Sequence, residues 1–165
     1  MSTVTPYTLR PLTSADKPVV TPLLVREWGA VEVVALSLGG VVDASTLPGW
    51  LAESGDEVVG LLTYLVRDGV AELVTINAFA GGGVGSALLG ALVEECRATG
   101  VRRVHVTTTN DNTRALRFYQ RAGFRLSALR VGAVDETRKI KPEIPSLGLD
   151  GIPIRDELEL TMELQ

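Results

Sequence analysis

The chain has 165 residues, 45% of them hydrophobic and 22% charged, enough to bury a core without a disulfide or metal staple. Its 20 acidic residues against 16 lysines and arginines give a net charge of −4, which argues against the broad basic surface of a general nucleic-acid binder. One cysteine, Cys96, and one histidine, His105, exclude a disulfide framework and the usual zinc ligand sets, so no metal is expected, although the count leaves a carboxylate-only site open.

Tyr7–Leu12 reads as a short first strand. Met1–Arg10 lacks a basic segment followed by an apolar one, so no secretory leader is expected. Thr13, Ser14 and Asp16 offer caps for a helix running to Trp28, with Pro18 suited to its first turn and Pro22 blurring its start. Residues 31–46 fit a strand or a helix equally, and Gly39-Gly40 interrupts them.

Beyond Pro48-Gly49, three strands are expected: Trp50–Glu53, Glu57–Val66 and Val70–Asn77. Ser54-Gly55-Asp56 and Arg67-Asp68-Gly69 supply hairpin chemistry, so the three form an antiparallel meander. The run Val58–Val66 is apolar almost throughout, which predicts cover on both faces of its strand. It is about half the length a bilayer-spanning helix needs. No membrane association is expected, and the expected location is the cytoplasm.

From Val84 the apolar period changes from two to 3.6: Leu88, Leu92 and Cys96 share a helix face, and Gly100 ends it. Arg103–Thr108 then reads as a strand, Asn112–Ala122 as a helix stopped by Gly123, and 124–134 as another strand. The proline-rich stretch 139–153 reads as a long loop, and the Glu/Leu alternation of Glu157–Leu164 as a last strand. With no internal repeat or low-complexity linker, residues 1–165 are expected to form one α+β domain. Its mixed central sheet would be an antiparallel meander followed by strand–helix–strand–helix–strand, flanked by helices. The last strand suits pairing within the chain or across a homodimer.

The segment from Ala80 to Leu89, Ala-Gly-Gly-Gly-Val-Gly-Ser-Ala-Leu-Leu, joins a strand to a helix. Its glycines let backbone amides turn toward one point, the helix start adds free amides and a positive dipole end, and Ser86 adds a hydroxyl. Such a device holds phosphate or pyrophosphate. No Gly-x4-Gly-Lys spacing is present, which excludes a P-loop. A dinucleotide fingerprint fits Gly81 and Gly83 but meets Ser86 at its third glycine, after a strand that belongs to a meander.

Residues 72–125 resemble the GNAT superfamily of N-acetyltransferases. The family's Gln/Arg-x-x-Gly-x-Gly/Ala motif is matched by Ala80-Gly81-Gly82-Gly83-Val84-Gly85, with Ala80 in place of the usual Gln or Arg and Gly82 where a basic residue is frequent. Its Asn-x-x-Ala-x-x-Phe-Tyr-x-x-x-Gly-Phe signature is matched from Asn112 through Ala115, Phe118, Tyr119 and Gly123 to Phe124. The tail, with Pro-Glu-Ile-Pro at 142–145 and Gly-Ile-Pro-Ile-Arg-Asp at 151–156, is similar to a bacterial branch of the superfamily.

The resemblance implies acetyl-CoA as cosubstrate, a primary amine of a small molecule or peptide as acceptor, and no metal. It implies pyrophosphate recognition by Gly81, Gly82, Gly83, Val84, Gly85 and Ser86, and pantetheine pairing by the backbone of Ile76 and Asn77. Asn112 either caps its helix or bonds the pantetheine arm, and the two are compatible. Arg114, Arg117 and Arg121 share one helix face and either meet cofactor phosphates, Arg117 and Arg121 foremost, or form a solvated basic face.

Freeing a lysine-like amine at pH 7 costs about 4–5 kcal/mol, an α-amine about 1, so a base matters most for the former. The resemblance implies Glu72 as the candidate base, with a site-held water as the alternative, and Tyr119 as the candidate acid for the departing thiolate. His105 reads as a satisfied structural histidine and Cys96 as a buried thiol, which favours direct attack in a ternary complex. Residues 31–50 and 135–157 are the expected acceptor-selecting regions. The alternative reading is a non-catalytic acyl-CoA-binding or regulatory module on the same fold.

Overall fold

The computed structural model describes residues 6–165; the first five residues of Met1–Arg10, where no leader is expected, lie outside them. Nine strands and four α-helices are described. Strand β1 (Thr8–Pro11) leads through a 3-10 turn into α1 (Lys17–Trp28), which carries Pro18 in its first turn and continues through Pro22. Gly29 closes it in the left-handed region, as expected of a terminal glycine. The ambiguous segment after it is extended: β2 (Glu32–Ala35) and β3 (Gly40–Asp43) form a small antiparallel ribbon across a 3-10 turn at Leu36–Leu38.

The meander is β4 (Gly49–Ser54), β5 (Glu57–Arg67) and β6 (Val70–Ala78). Helix α2 (Val84–Ala98) crosses over to β7 (Arg103–Thr109), which lies parallel to β6. Next come α3 (Thr113–Arg121), β8 (Arg125–Arg130), α4 (Ala133–Ile140) and β9 (Glu157–Glu163). The main sheet runs β1-β4-β5-β6-β7-β9-β8, with β9 inserted between β7 and β8. This is the mixed sheet flanked by helices that the residue pattern predicts.

Two expectations for the tail are corrected. The strand read over 124–134 ends at Arg130, and helix α4 takes the last two residues of that span, residues 135–138 and the first two residues of the expected 139–153 loop. Gly132 adopts φ 74° and starts that helix, Asp135 and Glu136 occupy its first turn, and Arg138 and Lys139 its last. That charge order complements the helix dipole. The Arg138 guanidinium then donates to the carbonyls of Ile144, Pro145 and Ile154, which binds the proline-rich stretch to α4.

Apolar residues on the two sheet faces build two cores. One packs Leu62, Leu73, Val104, Val106 and Leu160 against Leu88, Leu92 and Cys96 of α2, with Tyr119 and Phe124 beside them. The other packs Leu51, Leu61, Leu65 and Val74 against Val20 and Leu24 of α1 and against Leu38. β5 serves both, which is why its run is apolar throughout. Gly60 lets α2 sit close: a Cβ there would lie 2.6 Å from Val84 Cγ1 and 2.9 Å from Leu88 Cδ1. Among the described residues no helix is long and apolar enough to cross a membrane.

Candidate active site

The sheet opens in its middle. β6 and β7 pair only from Val70↔Arg103 to Leu73↔Val106. The register of β6 against β5 slips at Thr63/Tyr64, leaving Val74 as an extra residue. A bulge bends its strand and interrupts pairing, and here the β6–β7 ladder ends at the residue before it. Beyond that point β6 keeps only β5 as partner, and β7 keeps only β9.

The opening exposes backbone groups. The Phe79 amide donates to the Val59 carbonyl at 2.8 Å. Antiparallel alternation then makes Leu61↔Asn77 the bonded pair and turns the N–H and C=O of Ile76 and Ala78 away from β5, toward the gap. The extended backbone of Ile76 can therefore receive an amide-bearing chain as an added strand. The backbone of Asn77 is used in the ladder, and its side-chain Oδ1 accepts from the Trp28 indole at 2.7 Å.

One end of the gap is the glycine loop. Gly82 and Gly83 have φ of 80° and 81°, values that a side chain would strain. The first intrahelical bond of α2 runs from the Ala87 amide to Gly83 O at 2.9 Å. The amides of Val84, Gly85 and Ser86 precede it and have no intrahelical acceptor, so together with the dipole they form an anion seat. Ser86 shares a shallow depression with Arg114, Arg117 and Arg121. No ion pair among the described residues holds any of the three arginines. Helix α3 thus turns its basic face toward the anion seat rather than toward a carboxylate.

The gap widens into a cavity of about 560 Å³. Glu72, Ile76, Asn77, Gly85, Asn112 and Tyr119 all line it. Asn112 caps α3, its Oδ1 accepting from the Ala115 amide at 3.1 Å, and its amide nitrogen has no protein partner among the described residues. Tyr119 is 6% exposed, wedged edge-on between Phe118 and Phe124. Burial pushes its phenol well above the ordinary value, so it stays protonated and can donate. Its hydroxyl has no hydrogen-bond partner among the described residues and is not one of the atoms sealed from solvent.

Glu72 lies at the closed end of the gap, directly across from His105 in the parallel register. Its Oε1 is 3.4 Å from His105 Nδ1, and the Glu72 side chain is 14% exposed. Burial raises the Glu72 carboxyl above the usual range, while His105 pulls it partly back. A carboxyl so placed exchanges a proton nearer to neutral pH than a solvated one. His105 is satisfied, as expected, but its partner is the candidate base. Cys96 is buried in the core, does not line the cavity, and has its thiol pushed up to about 11 by burial. It is a poor nucleophile at neutral pH.

Residues distant in sequence complete the cavity. Glu27 and Trp28 come from the end of α1, Val33 and Val34 from β2, Ser37 and Leu38 from the turn after it, and Glu157 from β9. Thr107 lines it too and donates to Ser37 Oγ at 2.7 Å. Of the two regions expected to select the acceptor, 31–50 contributes Val33, Val34, Ser37 and Leu38 to the wall, and 135–157 contributes only Glu157. The 135–156 segment instead braces that wall. α4 packs on β2 and the Leu36–Leu38 turn, and Lys141 donates to the Trp28 carbonyl at 3.2 Å. Asp156 is spent on the Gly132 amide, and neither it nor Asp150 lines the cavity.

Residues 24–124 match the acetyltransferase (GNAT) family. The chain is 38% identical over 157 residues to the uncharacterized protein YxbD of Bacillus subtilis (strain 168), spanning 94% of this chain and 98% of that one. It superposes on the IAA acetyltransferase from Bacillus cereus ATCC 14579 with a TM-score of 0.75 at 22% identity, covering 96% of this chain and 100% of the other. A GNAT family acetyltransferase from Elizabethkingia anophelis, a structure with acetyl-CoA bound, gives a TM-score of 0.68 at 21% identity, with 96% and 98% covered. The chain belongs to the GNAT acetyltransferase family.

Proposed function

We propose that this GNAT chain works as one domain that transfers the acetyl group of acetyl-CoA to a primary amine of a small molecule or peptide. The observation that carries the reading is the single cavity joining the glycine-led helix start, the open backbone of Ile76, the Tyr119 hydroxyl and the Glu72–His105 pair. The anion seat formed by the amides at Gly83–Ser86, with Arg117 and Arg121 beside it, suits the pyrophosphate and phosphate of CoA. The backbone of Ile76 and the amide of Asn112 suit the pantetheine arm. The bound acetyl-CoA of the Elizabethkingia neighbour, on a shared fold, supports the same cosubstrate here.

The chemistry follows from the proton inventory. Glu72, directly or through a water, accepts a proton from the acceptor ammonium. The neutral amine attacks the thioester carbonyl; a C–N bond forms and the C–S bond breaks. Tyr119 donates its proton to the departing thiolate; the proton that the attacking nitrogen sheds on becoming an amide restores the phenol through water, and the proton held by Glu72 passes to solvent. Backbone N–H groups at the gap stabilise the developing oxyanion. With Cys96 buried elsewhere, direct attack within a ternary complex needs no acyl-enzyme. The fold and cavity do not require a membrane or nucleic-acid partner for any of these steps.

The test is thiol release from acetyl-CoA with a mixed panel of primary amines, run beside a binding measurement. Amine-dependent release of CoA supports the reading. CoA binding without release from any amine would instead establish a non-catalytic acyl-CoA-binding module.

A further inference from the structure

We propose that Asn110 and Asp111 are positioning residues for acetyl-CoA, through which the tail segment 148–156 fixes the start of α3. The inference rests on the acetyl-transfer reading and deepens it. Neither residue lines the cavity or the basic depression, yet both are bound to the tail. The Asn110 side-chain amide donates to the Pro153 carbonyl at 2.9 Å, and its Oδ1 accepts from the Arg155 and Asp156 amides at 2.9 and 3.0 Å. Its backbone N–H donates to the Asp156 carbonyl at 3.1 Å. Asp111, 5% exposed, accepts from the Thr109 hydroxyl with one oxygen and from the Leu149 amide, at 3.1 Å, with the other. Gly148 lets the tail approach this closely: a Cβ there would lie 2.0 Å from Asp111 Oδ2.

The place of this clamp in the chain gives it a functional consequence. It grips the two residues between Thr109 and Asn112, and both of those line the cavity. Asn112 caps α3, the helix that carries Tyr119 and the three arginines beside the anion seat. A helix of nine residues is marginal alone, so its position is set by what holds its ends. The tail is stiff enough to hold one. The Gly148 amide bonds the Ile152 carbonyl at 2.9 Å, the Ile154 amide bonds the Ser146 carbonyl at 3.0 Å, and Arg138 ties the segment to α4. The Gly-Ile-Pro-Ile-Arg-Asp stretch at 151–156 thereby gains a role: its backbone supplies every partner of Asn110. A site whose supporting layer is loosened must order that layer on binding, and affinity falls.

Calorimetry with acetyl-CoA on four variants, each checked for folding by a thermal melt, tests this. Asn110→Ala removes the side-chain bonds, and Gly148→Ala pushes the tail off Asp111 from the other side. Each should raise the acetyl-CoA dissociation constant about tenfold. Asn110→Asp keeps the oxygen that accepts from Arg155 and Asp156, and its value should fall between those of the parent and Asn110→Ala. Asp16→Asn, outside the clamp, controls for lost stability alone and should stay within about twofold of the parent. If Asn110→Ala does not fold, Asn110→Asp and Gly148→Ala decide by the same comparison. Parent-like affinity in the folded clamp variants, or an equal loss in Asp16→Asn, overturns the positioning role while acetyl transfer stands. A parent chain that binds no acetyl-CoA overturns both.

Discussion

Asp16 and Glu72 are both largely buried carboxylates, and their surroundings treat them in opposite ways. Asp16, 6% exposed, takes two bonds from the Arg10 guanidinium at 2.9 and 2.7 Å and one from the Thr13 amide at 2.8 Å. Arg10 and that amide hold its carboxyl down at about 2. Glu72 receives a single long contact from His105, and burial raises it. The first group has its charge fully answered and belongs to the structure. The second is left under-answered at the end of an open gap, which is what a group that must exchange a proton requires. The fold thus spends its buried polar contacts on stability near β1 and withholds them where β6 parts from β7.

Substitution at the two carboxylates should separate activity from stability. Glu72→Gln should lower kcat/KM for an alkylamine by about 10²–10⁴, read by thiol release. Because the folded-state carboxyl is raised, ionising it opposes folding; its contribution to stability is present below the unfolded value and lost as pH rises through the folded one. The neutral glutamine should therefore leave the melting temperature at pH 7 unchanged or slightly higher. Asp16→Asn should do the reverse, costing about 1–3 kcal/mol in a denaturant titration while kcat stays within about twofold. The Asp16 carboxyl is depressed, so its contribution is present above the unfolded value near 3.8 and is lost as pH falls toward about 2. The stability difference between parent and Asp16→Asn should shrink over that window.

Two smaller effects sharpen the contrast. Tyr119→Phe removes the unpartnered hydroxyl and keeps the ring packed against Phe118 and Phe124. It should lower kcat about tenfold and leave acetyl-CoA affinity unchanged by calorimetry. His105→Gln removes the group that pulls Glu72 back toward its ordinary value. The acid limb of the kcat/KM profile should move to higher pH, with the plateau reduced only about threefold; an unmoved limb would show that Glu72 is not the titrating base.

The parts of the fold carried by local pattern were legible in the sequence. Period-two runs with Gly55 and Gly69 turns foretold β4–β6, and the spacing of Leu88, Leu92 and Cys96 foretold α2. The glycine loop and the Asn112–Phe124 signature pointed to one cofactor class because short motifs report local backbone geometry. Helix α4 was missed although Gly132, Asp135, Glu136, Arg138 and Lys139 stood in capping and dipole order; the prolines after it drew the reading toward loop. The gap itself was not legible. It depends on a one-residue slip between β5 and β6 and on a parallel register set by the α2 crossover, which together bring Glu72 opposite His105. Val34, Leu38 and Glu157 fall within the regions expected to select the acceptor, but Trp28 does not, and which residues of those regions reach the cavity is set by tertiary packing.

The central claim is that the β6–β7 gap and the glycine-led start of α2 form an acetyl-CoA site. A thermal melt with acetyl-CoA, CoA, NAD and ATP at matched concentrations tests it most directly. At 100 times its dissociation constant a ligand adds about 2.7 kcal/mol of stability. The account predicts that acetyl-CoA and CoA raise the melting temperature and that NAD and ATP do so far less. No shift with either CoA species, or a larger one with NAD or ATP, would contradict it.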